Sequence, residues 1–214
     1  MQVKRLVGIL IALFGNVALR SLTNEHDADD MQSHAVKWLP AAVVAAYTYI
    51  VEGEDNASLG IRWDGLRPFA KRAAVGLGVM LGANVLLEPL HDRLGVEEMK
   101  TGMGEFSDTS TVERLFIALT AGVTEELMFR GYALERLETE TGSRVAAAAT
   151  STLAFVLAHK GEQWSWRSLL LIAQPATLVT LFYLRTRDLL AAITIHAIND
   201  FVGLLLLERF TEEE

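Results

Sequence analysis

Residues 189–207 read LLAAITIHAINDFVGLLLL, an apolar block that is interrupted by His196, Asn199 and Asp200. About twenty apolar residues span the hydrocarbon core of a bilayer, so this block has the length of a transmembrane helix. Ionisable groups are costly in hydrocarbon and usually face the interior of a helix bundle, where they pair with one another. The block therefore indicates a membrane helix that carries a functional polar face.

Six further apolar blocks predict an all-α, multi-pass transmembrane bundle of about seven helices. We expect membrane helices over Leu6–Leu22, Trp38–Val51, Ala73–Leu90, Val112–Leu134, Val145–His159, Leu169–Leu184 and Leu189–Leu207. The first block follows Lys4 and Arg5 as a signal peptide would. Because the small-residue cleavage site around Asn16–Ala18 is poor, we expect the helix to be retained.

The chain reads as one structural domain in three parts. Residues 1–111 hold the N-terminal membrane helices and their loops, residues 112–207 the helical core with the polar clusters, and residues 208–214 an acidic tail. On the third helix, Gly76, Gly78 and Gly82 predict close helix packing in lipid.

Composition excludes several classes of site and partner. The chain has no cysteine, which rules out disulfides, thiolate metal sites and a cysteine nucleophile. A net charge of −8, without a basic run of five or more residues, does not suggest a nucleic-acid partner. The acids concentrate in segments 25–30, 52–55 and 212–214, read either as solvated loops or as adaptation to high salt.

The orientation in the cell membrane follows from Lys and Arg in the short loops. With seven spans, ten basic residues fall on the N-terminal side and eight on the other, with Arg136 and Arg114 counted on opposite sides. This count predicts a cytoplasmic N-terminus.

The first polar cluster lies inside the fourth block and reads Glu125-Glu126-Leu127-Met128-Phe129-Arg130-Gly131. Glu126 and Arg130 are four residues apart, so they share a helix face and can pair. Glu125 is rotated by about 100° from Glu126 and is left to act as a general base on water. The alternative is a buried ion-pair network that only holds helices together.

Two histidines follow on later helices. His159 comes four residues after Phe155, although a lone histidine near a helix end is more often interfacial than catalytic. His196 and Asp200 are also four apart, so the carboxylate can orient the imidazole. Because this pair lies well inside an apolar block, the functional interpretation is the stronger one there.

Converging in one cavity, these groups could work in two ways. Glu125, His159, His196 and Asp200 could bind a divalent metal such as zinc, with one position open for water. Alternatively, Glu125 and one histidine could activate water directly while the other histidine stabilises the oxyanion. The chain contains neither HExxH nor GxSxG, so a zincin or a serine hydrolase is not supported.

The motifs EExxxR, FxxxH and HxxxN/D occur in this order on successive helices and resemble those of the CPBP family of membrane proteins. That family comprises type II CAAX prenyl endopeptidases and bacteriocin-processing or self-immunity (Abi-like) proteins. The resemblance covers about Val112–Leu207. It implies that Glu125 is the water-activating glutamate, that Glu126 and Arg130 complete the first motif, and that His159 and His196 are the histidines of the second and third.

The resemblance leaves two points open. Members of the family have been described both as metalloproteases and as metal-independent glutamate proteases, and the motifs do not distinguish them. In the eukaryotic prenyl proteases, an asparagine thought to donate to the oxyanion stands where this chain has Asp200. An ionised aspartate cannot donate, so Asp200 would have to be protonated, bind a metal or orient His196, and Asn199 faces about 100° away.

We therefore predict an intramembrane endopeptidase in which Glu125 deprotonates water with help from His159, and His196 polarises the scissile carbonyl. The substrate would be a membrane-associated peptide or protein, prenylated or not, because the short acidic chain looks prokaryotic. One alternative is a non-catalytic membrane binding or immunity protein on the same fold. An ion or proton transporter is a weaker alternative, because no inverted repeat with paired broken helices is visible.

Three geometric expectations follow. The side chains of Glu125, His159 and His196 should meet in one cavity, and Glu126 should pair with Arg130. The fifth helix, or a buried extension, should run beyond His159, with Trp164 or Trp166 at the interface. Ending the helix at His159 would place the ring at the wrong membrane surface.

Overall fold

The computed structural model describes residues 2–23, 31–94, 106, 109–160 and 166–211. Within these ranges the chain consists of helices and connecting loops, without a β-strand, which confirms the all-α class. The acidic segments 25–30 and 212–214, together with Trp164, lie outside the described residues.

Each of the seven predicted blocks contains a helix. The helices are α1 (Val3–Thr23), α2 (Met31–Val36), α3 (Trp38–Tyr47), α4 (Leu66–Leu94), α5 (Thr111–Glu126), α6 (Glu135–Thr141), α7 (Arg144–Ala158), α8 (Trp166–Thr186) and α9 (Leu189–Thr211). A π-helical segment, Thr48–Glu52, continues α3, a second one, Leu127–Leu134, joins α5 to α6, and a 3₁₀ turn forms at Asn56–Leu59. The short α2 was not predicted, and α9 extends past the predicted end at Leu207.

The fold is a multi-pass helical bundle. Three segments of the described chain are long and apolar enough to cross a membrane: Leu66–Leu90 of α4, Trp166–Thr186 of α8 and Leu189–Leu206 of α9. A fourth, Arg144–Ala158, is apolar but shorter. Length and composition thus identify three of the seven expected membrane helices.

Local capping signals set the boundaries of the helices that carry the first two motifs. Ser110 and Glu113 form a capping box at the start of α5, in which each side chain accepts a hydrogen bond from the other's backbone N–H. Gly142 ends α6 with φ +65°, a left-handed conformation that glycine adopts without strain, and Ser143 then caps α7. The result is a continuous helical arm over 111–141 followed by the antiparallel α7.

Gly122 brings α5 and α9 into close contact. A Cβ atom at this position would lie 2.9 Å from Cβ of Ala197 and 3.1 Å from the carbonyl oxygen of Ile193. Real side chains essentially never approach so closely, so the absence of a Cβ is what permits this spacing. Gly122 precedes Glu126 by one helical turn and Ala197 follows His196, so the contact lies beside the polar clusters.

The predicted glycine packing on α4 is correct for Gly76 and wrong for the other two glycines. Gly76 faces the side chains of Ile195 and Phe182, whereas Gly78 and Gly82 have no heavy atom within 4 Å of a built Cβ. The reason is helical geometry, because residues two apart on a helix point in different directions.

Glu52 is a buried ion-pair partner, which corrects its assignment to an acidic surface loop. Its carboxylate accepts hydrogen bonds from Arg136 Nε at 2.9 Å and Nη2 at 2.8 Å, and from the Tyr132 hydroxyl at 2.8 Å. Arg136 is 4 % exposed, and Arg114, counted on the other membrane side, is 1 % exposed. Because both arginines are buried, the count of basic loop residues that predicts the orientation loses one residue on each side of the membrane.

Candidate active site

The candidate active site lies between α5, α7 and α9. Glu125 Oε2 lies 3.6 Å from His159 Nε2 and 3.9 Å from His196 Nε2. The structure therefore brings together the three residues that were expected to converge, and their catalytic roles stay a prediction. The side chain of His159 is 31 % exposed and that of Glu125 14 %, so solvent-sized molecules can reach the pair.

The level of His159 is set by the turn at Gly142. Glu125 and His159 lie seventeen positions before and after this glycine, so in an antiparallel hairpin they stand at the same height. The prediction that the helix itself continues beyond His159 is wrong, because α7 ends at Ala158 and His159 caps it. The alternative, a buried extension, concerns residues 161–165, which lie outside the described residues. We had expected a helix ending at His159 to place the ring at the wrong membrane surface. It does not, because the helical arm that carries Glu125 runs on to Thr141 instead of ending near Leu134. Trp166, which starts α8, is 66 % exposed.

The first motif pairs as expected and also makes a contact that was not foreseen. Arg130 Nη1 donates to Glu126 Oε1 at 2.8 Å, and both side chains are almost fully buried. The same oxygen lies 2.7 Å from His196 Nδ1. Glu126 thus joins the first motif to the third, whereas spacing along one helix could indicate only its pairing with Arg130.

Arg130 is held on all sides by groups from other helices. Its Nη2 donates to the carbonyl oxygen of Ala176 at 3.0 Å and its Nε to Thr180 Oγ1 at 3.3 Å, both on α8. Its guanidinium lies over the Phe155 ring at 4.4 Å. A buried guanidinium is tolerated when its donors are satisfied in this way, so Arg130 anchors the π-helical segment to α7 and α8.

His196 lies between two carboxylates. Nδ1 faces Glu126, and Nε2 lies 3.2 Å from Asp200 Oδ2. If both carboxylates are ionised, both ring nitrogens must carry hydrogens to make these contacts. Nε2 is the nitrogen that also points toward Glu125, so it is placed to donate to a group that enters the cavity.

The backbone orients His159. Nδ1 of His159 lies 2.8 Å from the carbonyl oxygen of Phe155, which can only accept, so Nδ1 carries the hydrogen and Nε2 faces Glu125. The Phe155 ring packs against His159 with centroids 4.6 Å apart and against His196 at 6.1 Å. Phe155, the first residue of the FxxxH motif, therefore forms an apolar wall of the site, a role that sequence reasoning did not assign.

Asn199 and Asp200 belong to a row of hydrogen-bonded polar side chains that connects the site to other helices. Asn199 Nδ2 donates to Asp200 Oδ1 at 3.3 Å, and Asn199 Oδ1 accepts from Asn84 Nδ2 on α4 at 2.9 Å. Gln174 on α8 donates to Asn84 at 3.3 Å. Asn84 and Gln174 were missed, although their amides interrupt apolar blocks in the way that usually indicates an interior contact.

The four residues considered as metal ligands are Glu125, His159, His196 and Asp200. In the described part of the chain, no group of three or more His, Asp or Glu side chains is arranged to hold a metal ion. Both nitrogens of His196 already face carboxylates. The donor set does not fit a metal centre here, so the mechanism is derived from the chain's own groups.

Comparison with known proteins identifies one family. Residues 108–202 match the family model for type II CAAX prenyl endopeptidases, Rce1-like. No curated protein and no solved structure matches the chain. The matched segment begins just before α5 and ends within α9, so it contains all three motifs and leaves α1–α4 outside. The match supports the CPBP assignment made from the motifs: residues 108–202 are similar to the Rce1-like type II CAAX prenyl endopeptidases.

Proposed function

We propose that the protein is an intramembrane endopeptidase that hydrolyses a peptide bond of a membrane-associated peptide or protein. The observation that carries the proposal is the contrast between adjacent glutamates. Arg130 and His196 both contact Oε1 of the fully buried Glu126, whose Oε2 is buried without a hydrogen-bond partner among the described residues. Glu125 Oε2 instead faces two imidazole nitrogens at more than hydrogen-bond distance, on a side chain that is 14 % exposed. Glu125 is thus the carboxylate that a water molecule from solvent can reach.

The geometry of Glu125 and His159 suits the activation of water. Their facing atoms are 3.6 Å apart, so a water oxygen at about 2.8 Å from each completes a triangle with ordinary hydrogen-bond lengths. In the proposed first step, Glu125 accepts a proton from this water while the water oxygen bonds to the scissile carbonyl carbon. The carbonyl π electrons move to oxygen, and His196 Nε2–H shares its hydrogen between Asp200 Oδ2 and the resulting oxyanion.

The second step cleaves the bond. Glu125 returns its proton to the amide nitrogen, the C–N bond breaks, and the products are a carboxylic acid and an amine. General acid–base catalysis of this kind contributes about 10²–10⁴ in rate, which sets the loss expected when the base is removed.

The test uses quenched fluorescent peptides that end in Cys-aliphatic-aliphatic-X, in matched forms with a farnesylated and an unmodified cysteine. Wild-type protein in lipid nanodiscs should release a fragment whose mass identifies the cleaved bond, and Glu125→Gln should lower the rate about 10²–10⁴-fold. Glu113→Gln is the matched control, because it lies on the same helix and glutamine also completes a capping box.

The outcome separates enzyme from binding protein. If neither peptide form is cleaved and Glu125→Gln leaves a cellular effect of the protein intact, a binding or immunity role replaces the proposal. Cleavage by Glu125→Gln at the wild-type rate would instead remove Glu125 from the mechanism.

We further propose that the N-terminus lies in the cytoplasm. The N-terminal end of α1 and the loop before α4 lie on the same side, because Arg5 pairs with Glu54 at 3.8 Å. The chain has no cysteine, so single cysteines at Glu54 and Lys160 report opposite sides. In intact cells, a membrane-impermeant maleimide should label K160C and not E54C, and the reverse pattern would invert the topology.

A further inference from the structure

Three amide side chains connect the three helices that, among the described residues, are long and apolar enough to cross a membrane. Asn84 lies on α4, Gln174 on α8 and Asn199 on α9, and all three are partly buried. Gln174 Nε2 donates to Asn84 Oδ1 at 3.3 Å, and Asn84 Nδ2 donates to Asn199 Oδ1 at 2.9 Å. Asn84 and Asn199 each accept at the oxygen from one neighbour and donate from the nitrogen to the next, so the bonds run in one direction from Gln174.

The row of hydrogen-bonded amides ends on the carboxylate of Asp200. Asn199 Nδ2 donates to Asp200 Oδ1 at 3.3 Å, and Asp200 Oδ2 lies 3.2 Å from His196 Nε2. When Nε2 of His196 carries a hydrogen, as its proposed role requires, both Asp200 oxygens accept and the carboxylate needs no hydrogen of its own. Of the three roles open to Asp200 from sequence, this arrangement supports the orientation of His196.

We propose that Asn84 and Gln174 are positioning residues for His196, acting through Asn199 and Asp200. They fix the Asp200 carboxylate, which contacts His196 Nε2 and so sets the position of the ring edge that faces the cavity. This inference rests on the proposed function, because it concerns the residue that would stabilise the oxyanion. Asn84 lies outside the matched residues 108–202, so the N-terminal helices contribute directly to the geometry of the site.

A purely structural role for the same amides makes different predictions. Side-chain hydrogen bonds between membrane helices contribute to helix association, so the amides could act only as contacts between α4, α8 and α9. In that case their removal lowers thermal stability and leaves His196 unchanged. A positioning role changes the imidazole itself and the turnover number, and both can be measured.

The experiment compares Asn84→Leu, Gln174→Leu and the double variant in lipid nanodiscs. Thr177→Val is the control: it lies one turn from Gln174, is exposed, and spends its hydroxyl on the carbonyl of Ala173 in its own helix. If Asn84→Leu does not yield a monodisperse protein, Asn84→Ala replaces it. Substrate is the peptide that wild-type protein cleaves, and the ring ¹⁵N resonances of His196 are assigned by their loss in His196→Gln.

We expect each single variant to lower kcat about tenfold with little change in KM, as for residues that orient a functional side chain through hydrogen bonds. The double variant should be no slower than Asn84→Leu, because both residues act through the same connection. The His196 resonances should shift in all three variants and stay at their wild-type positions in Thr177→Val.

Two results would overturn the inference. One is wild-type kcat and unchanged His196 resonances together with a lower melting temperature, which leaves only helix association. The other is a double variant whose loss equals the product of the single losses. The ¹⁵N measurement needs no substrate, so it tests the amide chain even if the peptides are not cleaved, whereas Glu125→Gln tests the proposed function alone.

Discussion

Glu126 holds His196, with 2.7 Å between its Oε1 atom and Nδ1 of the imidazole. The same oxygen accepts the hydrogen bond from Arg130. Two basic side chains from different parts of the chain therefore depend on one fully buried carboxylate. Replacing Glu126 should consequently have a different effect on the protein from replacing Glu125.

Glu126→Gln should destabilise the fold, whereas Glu125→Gln should mainly abolish activity. Removing one partner of a buried ion pair costs about 3–5 kcal/mol, because the other charge remains buried without compensation. Thermal unfolding of both variants in the same detergent measures the difference. Equal melting temperatures for the two would show that Arg130 and His196 do not need the Glu126 charge.

Gly122→Ala should reduce both stability and activity. The added methyl would push α5 away from Ala197 and so separate Glu126 from His196, and overpacking of this kind costs about 1–3 kcal/mol. Gly82→Ala is the matched control, since a methyl there meets no atom within 4 Å. Peptide cleavage and melting temperature should fall for Gly122→Ala alone, and a fully active Gly122→Ala would show that the helices can separate without harm to the site.

Chelator treatment should leave the rate of peptide cleavage unchanged. The nitrogen and oxygen atoms considered as ligands face one another or the backbone in the structure and do not form a metal-binding set among the described residues. The measurement pairs the metal content of purified protein with the cleavage rate before and after 1,10-phenanthroline. Loss of activity that zinc restores, with about one zinc per chain, would establish the metal mechanism instead.

Acid should weaken the junction between α4 and α9 through Asp64. The hydrogen bond from the Arg72 guanidinium, and then that from Arg62, hold the pKa of the Asp64 carboxyl well below its ordinary value. A carboxyl with a depressed pKa in the folded state stabilises the fold above its unfolded pKa, and this contribution is lost as the pH falls below about 4. Arg72 also binds Asp188, which caps α9, so the effect reaches that helix.

Melting temperature measured between pH 7 and pH 3 tests this dependence. Wild-type protein should lose more stability on acidification than Asp64→Asn, which has no carboxyl to protonate. Parallel curves for the two proteins would contradict the assignment. Glu88→Gln, at an exposed position on α4, is the control for a general effect of charge.

The sequence predicted the helices and the meeting of the motifs because both depend on local patterns. Apolar blocks of fixed length locate helices, and polar residues inside them can avoid hydrocarbon only by facing one another. Glu125, His159 and His196 therefore met as expected, and the spacing of Glu126 and Arg130 predicted their ion pair.

The contacts that sequence reasoning missed are those between distant residues. Glu52 and Arg136 lie 84 positions apart, and nothing local indicates that a loop acid will be buried against that arginine. The link from Glu126 to His196 spans 70 positions and depends on the close approach at Gly122. The π-helical segment Leu127–Leu134 likewise has no signal in the apolar pattern, since apolar residues surround it on every side.

The turn at Gly142 makes the site insensitive to membrane thickness. Bundles in thinner or thicker bilayers adjust by tilting or by sliding along the membrane normal. Because Glu125 and His159 lie equal numbers of residues from one turn and face each other across the hairpin, such a displacement moves both residues together and preserves the distance between them. Only a change in the length of one arm, by insertion or deletion between either residue and Gly142, would put the carboxylate and the imidazole at different heights.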